Sequence, residues 1–286
     1  MVEVEALEVV HPGHREAALV DVSFQHGKGA LTILGPTGSG KSTLLATLAT
    51  HVRPAAGSVR VEGRDVLTDP LGVRAVIGYV PQVLGLPGDL TLREYLEELA
   101  RLDGFGSEAS DRSEAAMVAV NLQAAADRRL KAFSGGMRRR ALLAQALLRD
   151  PQVLLVDGPT AGLDPLEQIT VLELLRAVAD TRTVLVAAQL VSEALAVPGR
   201  VMILEGGRVA GLTRAEHLAE LADGHVFELP WSFKHRVVGM TVATGDRERI
   251  LVIGDSRPHL VAREVPPTPE HGYLYLVWRS RQGWTT

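Results

Sequence analysis

Apolar positions along the chain follow two periods in turn. VEVEAL near the amino end alternates, and DVSFQHGKGALTIL passes through a turn into the apolar run ALTIL (30–34), so short β segments are expected over residues 1 to about 34. GPTGSGKST (35–43) follows, and LLATLATHV then takes helical spacing, which gives strand, glycine-rich loop and helix in sequence. GSVRVEGRD (57–65) reads as a hairpin and VIGYV (76–80) as a strand. TLREYLEELARL (91–102) carries helical apolar spacing behind Thr91, with Glu94 three positions on, which makes a capping box. After the polar loop 103–112, a helical region is expected from Ser113 to about Leu130. SGGMRRRALLAQALLRD (134–150) reads as a helix opened by Ser134 and stopped by Pro151.

Strand 153–157, helix 165–179, strand 183–188 and helix 191–197 then alternate, the pattern of an α/β fold with a mostly parallel sheet. VMILEGGRVAGL (201–212) reads as a hairpin turning at Gly206-Gly207. Beyond about residue 222 the texture changes. Trp231, Trp278, Trp284 and the cluster PPTP (266–269) all lie there, among short strand-like runs HVFELP, ERILVIGD and HLVARE. The expected organisation is a main unit over 1–221, with a helical subdomain at about 83–150, and a small α+β subdomain over 222–286 packed by the tryptophans.

Composition narrows the function classes. The net charge of −4 argues against a generic nucleic-acid binder, which needs a basic surface. The absence of cysteine excludes disulfides and thiolate metal sites and fits a cytosolic protein. No apolar run approaches the ~20 residues that span a bilayer, and the glutamate-bearing start MVEVEALEVV is not a secretory signal. Any membrane association is therefore expected through a partner. The histidines are scattered, and the nearest pair, His11 and His14, lacks further ligands for a transition metal. Arg138, Arg139 and Arg140 are expected to form a solvated helix face.

Candidate chemistry begins in the glycine loop. Gly35, Pro36, Thr37, Gly38, Ser39, Gly40, Lys41, Ser42 and Thr43 fit G-x-x-x-x-G-K-[ST] position by position. Glycines let the backbone turn several N–H groups onto an anion, and the following helix adds its positive end. Lys41 supplies a mobile cation and Ser42 a hydroxyl ligand for Mg²⁺. This is a nucleotide-binding loop. Asp157, which ends the apolar strand VLLVD, is the natural carboxylate for the same Mg²⁺, bound directly or through water.

FSGGM (133–137), together with YVPQ (79–82), VLLVDGPTAGLD (153–164) and the P-loop, in this chain order, resembles the nucleotide-binding subunit of ABC transporters over roughly residues 4 to 220. GYVPQ…LTLREYL, SGGMRRR, PTAGLDP and the tail PPTPEHGYLYL resemble more narrowly the ATPases paired with ABC-2-type exporter permeases. The resemblance implies a P-loop NTPase core, an antiparallel β layer at the amino end and ATP with Mg²⁺ as ligands. It makes 268–277 a short helix capped by Thr268, with Pro269 at its first position. It also implies a peripheral place on the inner face of the cell membrane through a separate permease. Two such subunits, identical or different, would sandwich ATP head to tail, with Ser134, Gly135 and Gly136 of one facing the P-loop of the other. In that arrangement Gln82 contacts Mg²⁺ or the attacking water, and the segment after it meets the permease. Asp164 lies at the dimer interface, and His11 stands where an aromatic ring stacks on adenine.

Three positions depart from that pattern, the mildest being His11 in place of the aromatic ring, since an imidazole can still stack. The glutamate expected after Asp157, the base or water-polarising group, is Gly158, and the histidine expected after the next strand is Gln189. A positioned general base contributes about 10²–10⁴-fold in rate, and glycine cannot replace it. Nucleotide binding is therefore expected, and fast hydrolysis is not. The alternative is a catalytically silent regulatory or assembly subunit that closes on ATP without powering transport. A long coiled-coil insertion of the DNA-repair type has no room between the P-loop and SGG.

Overall fold

The structure, a computed structural model, describes residues 1–83, 85–234, 237, 239–243 and 248–283. An antiparallel layer begins with β1 (Val2–Val10) and β2 (Ala17–His26). In β1 the buried set Val2, Val4 changes phase to Leu7, Val9, and the pairing register shifts at the same place, where Ala6 takes φ +45°. That bulge explains why the alternation of VEVEALEVV breaks in the middle. β3 (Gly29–Leu34) is apolar on both faces and leaves this layer for the centre of a second sheet. α1 (Lys41–Leu48) follows the glycine loop, and β4 (Ala56–Val61) and β5 (Arg64–Asp65) complete the first sheet in the order β2-β1-β4-β5.

α2 (Pro70–Val76) is a helix that the apolar pattern does not announce. Asp69 caps it by accepting from the Gly72 amide, and Pro70 sits at the first position, where a missing N–H costs nothing. β6 (Ile77–Val80) and α3 (Leu92–Leu102) come next, the latter with the full Thr91–Glu94 capping box. α4 (Ala109–Ala119) starts before the expected Ser113 and ends well short of Leu130. Asn121 adopts φ +55° there, which ends the helix, and short 3₁₀ turns carry the chain onward. α5 (Gly135–Leu147) is capped by Ser134, whose hydroxyl accepts from the Met137 amide.

β7 (Val153–Asp157), α6 (Pro165–Ala179), β8 (Thr183–Ala188), α7 (Val191–Ala196), β9 (Arg200–Glu205) and β10 (Arg208–Arg214) finish the central unit. The second sheet has the order β10-β9-β3-β8-β7-β6, parallel except for β10. Successive β7 side chains feed two different cores. Leu154 and Val156 join the one beneath the helical part, and Val153 and Leu155 join the one under the antiparallel layer. Each such side chain contributes about 1.5–3 kcal/mol by burial. Because β3, β6, β7 and β8 are parallel, the loops that follow them leave from one edge of the sheet. That carboxyl edge is where open α/β sheets place ligands.

A third, antiparallel sheet orders β11 (Val226–Pro230), β12 (Met240–Ala243), β13 (Arg249–Ile253) and β14 (Arg263–Glu264) as β12-β13-β11-β14. HLVARE supplies only the two residues of β14, and Leu260 and Val261 are exposed. α8 (Pro269–Arg281), capped by Thr268, runs past the expected end at 277. It joins this sheet to the main body: Tyr275 packs in the small core, while Leu276 and Val277 pack in the large one. Trp278 packs beside Tyr275, Trp231 is exposed with Lys234 Nζ 4.4 Å over its ring, and Trp284 lies outside the described residues. Among the described residues no helix is long and apolar enough to cross a membrane.

Candidate nucleotide-binding site

The loop after β3 is tightly wound. A Cβ on Gly35 would sit 2.2 Å from the Leu204 carbonyl oxygen, and Gly40, with φ +104°, occupies the cap position of α1. Among the described residues no side chain caps that helix start, which leaves its first amides for the loop cavity. A cavity of ≈ 280 Å³ lies over it, lined by His11, Ala18, Gly38, Gly40, Lys41, Ser42 and Thr43. Lys41 Nζ donates to the carbonyl oxygens of Gly35 (2.7 Å) and Pro36 (2.8 Å). Burial lowers its pKa, with Asp157 and Glu205 opposing that shift. His11 Nε2 lies 3.0 Å from Thr43 Oγ1, so the imidazole borders the phosphate loop from the antiparallel layer.

Asp157 is only 6% exposed. Burial raises its carboxyl pKa, against the opposing pull of a Ser42 hydrogen bond and the charges of Lys41 and Arg139. One carboxylate and one hydroxyl, adjacent beside a phosphate loop, form a hard-oxygen donor set suited to Mg²⁺. Among the described residues no three His, Asp or Glu side chains gather into a metal cage. Mg²⁺ needs none when phosphate oxygens and water supply the remaining ligands.

Gln82 leaves the end of β6 with an exposed side chain, beside Gly158 at the end of β7. Its backbone is held by an unexpected partner. Arg139 is 7% exposed, not solvated, and its guanidinium donates to the carbonyl oxygens of Pro81 (3.2 Å) and Gln82 (3.3 Å). Arg140 donates to the Asn121 carbonyl at 2.9 Å, and Arg138 alone of the three keeps an exposed side chain. One helix thus ties the SGG segment to the loop that carries Gln82.

Gly158 takes φ +56° and borders a second cavity of ≈ 230 Å³, shared with Thr160, Gln168, Gln189 and Glu193. Gln189 is exposed at the end of β8. The buried Glu193 fixes that corner, accepting from the amides of Gln189 (3.0 Å) and Leu190 (3.0 Å) and from the Thr160 hydroxyl. Its carboxylate is committed to these donors.

Ser134, Gly135 and Gly136 do not line the P-loop cavity. They open α5 beside the start of α6, where Asp164 caps by accepting from the Leu166 and Glu167 amides. Glu167 Oε1 accepts from the Ser134 hydroxyl at 2.6 Å, and Oε2 accepts from the Gly136 amide at 2.8 Å. Sequence spacing carries no sign of Arg139 or Glu167, since their partners lie far along the chain, and Glu193, which caps the nearby Gln189 and Leu190 amides, reaches this corner only through the distant Thr160.

Comparison with known proteins agrees with this geometry. The family model for the ABC transporter matches residues 19–161. The chain is 37% identical over 293 residues to the daunorubicin/doxorubicin resistance ATP-binding protein DrrA of Streptomyces peucetius, covering 98% of this chain and 85% of that protein. It is 34% identical over 268 residues to the Nod factor export ATP-binding protein I of Rhizobium sp. (strain N33), covering 87% and 88%. An ATP-binding cassette solved as a dimer in a post-hydrolysis state with ADP and phosphate superimposes with a TM-score of 0.67 at 27% identity, over 75% of this chain and 99% of that one. With the glycine loop, the strand ending in Asp157 and the SGG helix all in place on one α/β framework, the chain belongs to the ABC transporter family, among its ATP-binding ATPase subunits.

Proposed function

We propose that the chain is the ATP-binding subunit of an exporter, binding ATP·Mg²⁺ firmly and hydrolysing it slowly on its own. The observation that carries this reading is the pairing of an intact phosphate loop (Gly35 to Thr43) and Asp157 with a glycine at 158. Lys41 would turn from the loop carbonyls to the terminal phosphates, while the loop amides hold the phosphate chain and His11 borders the base side. Ser42, Asp157 and Gln82 would hold Mg²⁺, which when bound offsets phosphate charge.

The slow step follows from proton bookkeeping. Gln82 can orient a water by accepting from it, but an amide does not take up its proton near neutral pH. Gly158 has no side chain, and Glu193 is engaged by two amides and a hydroxyl. With Asp157 assigned to Mg²⁺ and position 158 bare, the proton loses its usual carboxylate acceptor, a loss of about 10²–10⁴-fold in rate. Gln189 can donate a hydrogen bond to phosphate without adding charge.

The resistance and export roles in the names of the relatives support transport as the setting. A separate permease would hold the chain on the inner membrane face, touching the segment after Gln82, where Val83 is exposed. A second ATP-binding subunit, identical or different, would complete each nucleotide site with its Ser134–Gly136 segment, Asp164 lying at the interface. Calorimetric titration with ATP·Mg²⁺ tests the binding half. We expect saturable binding that Lys41→Ala weakens by at least about tenfold, or ~1.4 kcal/mol. Absence of binding by the unmodified chain contradicts the reading.

A further inference from the structure

The SGG helix start already holds an anion, and it is a side chain of the same molecule. Glu167 spans two of its donors, Ser134 Oγ at 2.6 Å and the Gly136 amide at 2.8 Å. The fit leaves no slack. A Cβ on Gly136 would lie 2.3 Å from the Glu167 carboxyl carbon, so the carboxylate rests directly on the glycine backbone. Glu167 stands in the first turn of α6, and Asp164 caps that same turn. The contact therefore ties the Asp164 corner to the SGG corner within one chain.

We propose that Glu167 is an intramolecular placeholder, a carboxylate that a nucleotide phosphate from the opposing subunit must displace before two chains close around ATP. This rests on the sandwich-dimer reading given above. The physical case is a competition. Hydroxyl and amide donors at a helix start favour an anion, and bonds to a charged acceptor are the strong kind. A bidentate carboxylate satisfies the same donors a phosphate would use. Ser134 and Gly135 are exposed, so the contact sits at the surface where an incoming anion can reach it. Once displaced, Glu167 still leaves a negative charge beside an arriving phosphate, which opposes closure a second time. The chain thereby raises the ATP concentration needed for closure without altering its own phosphate loop.

The test uses the full chain. Sedimentation velocity across an ATP·Mg²⁺ series reports the nucleotide concentration at half-maximal dimer, and a separate titration at low protein concentration reports nucleotide affinity of the single chain. Glu167→Gln keeps the shape and can still accept from the Gly136 amide, but it removes the charge. It should lower the half-maximal ATP concentration for dimer formation at least about tenfold, or ~1.4 kcal/mol. Affinity of the single chain should stay within about twofold, a split that a merely structural role does not produce. Glu167→Ala, which removes carboxylate and contact together, should move the same way. Equal half-maximal concentrations for the unmodified chain and both variants overturn the proposal. So does a chain that binds nucleotide but stays monomeric in all three forms, because the charge is then not what limits closure. Loss of nucleotide binding in the unmodified chain instead defeats the function reading itself.

Discussion

Gln82 and Gly158 face one another at the carboxyl edge of the central sheet, where a Cβ added to Gly158 would lie 3.5 Å from Gln82 Cγ. That is ordinary van der Waals contact, so a Cβ at 158 has space. The obstacle is the backbone. At φ +56° an L-residue costs roughly 1–2 kcal/mol. The position is shaped for glycine, and it cannot be refitted with a carboxylate free of strain.

Restoring the two departing side chains should therefore have a mixed result. Gly158→Glu is expected to lower Tm, at roughly 2–4 °C per kcal/mol for a domain of about this size. Gly158→Glu/Gln189→His is expected to raise ATP turnover at least about tenfold, short of the full 10²–10⁴ of a well-held base. Steady-state phosphate release, read beside thermal unfolding, checks both halves.

Asp157 gives a pH signature. Its folded pKa is raised by burial, so between the ordinary carboxylate pKa and the raised one the folded chain binds more protons than the unfolded. The stability contribution is largest when the carboxyl is protonated, and it falls as pH rises through that window. Ionised Asp157 is thus a cost at neutral pH. Asp157→Asn should raise the Tm of the nucleotide-free protein and flatten its dependence on pH across the acid range. It should also abolish the extra stabilisation that Mg²⁺ adds to ATP. Thermal scans from acid to neutral pH, with and without ATP·Mg²⁺, separate these effects.

Arg139 is the tie between the SGG helix and the Gln82 loop. Arg139→Ala removes two charge-assisted bonds from the Pro81 and Gln82 carbonyls and opens a hole in a buried region. A loss of about 2–4 kcal/mol is expected, read as a lower urea midpoint with unchanged slope. Arg139→Lys keeps a charge but lacks the fork, and should recover only part of that loss.

Much of the fold could be read in the chain because its signals are local. The P-loop, the Thr91–Glu94 box, the Ser134 and Thr268 caps and the apolar run 153–156 each act within a few residues. α4 departs from its expected bounds because its end depends on Asn121 taking a left-handed turn, and the alanine-rich spacing beyond it looks equally helical. α2 is silent in the pattern although Asp69-Pro70 marks its start, since a single buried residue, Val73, gives it almost no apolar period. The site divides the same way. Its phosphate loop and Asp157 are motif residues. Arg139 reads as one of three equivalent arginines until the Pro81 and Gln82 carbonyls are seen beneath it. Glu167 meets the SGG segment only when α6 is packed against α5.

The carboxy-terminal helix offers a packing test away from nucleotide. A Cβ on Gly272 would fall 1.7 Å from the Leu218 carbonyl oxygen, closer than any side chain can tolerate without movement of the backbone. Gly272→Ala should destabilise the protein by about 1–3 kcal/mol and raise hydrogen exchange along α8 and its contacts with Leu218.

The proposed combination is firm nucleotide binding with poor turnover. The direct measurement is ATP turnover by the purified protein with saturating Mg²⁺, beside ATP affinity in the same buffer. Saturable binding with turnover below about 0.1 s⁻¹, some 10²-fold under the ~10 s⁻¹ of a typical enzyme, is the predicted result. Turnover of about 1–10 s⁻¹ by the unmodified chain alone would contradict it, and Gln82 would then have to supply more than orientation.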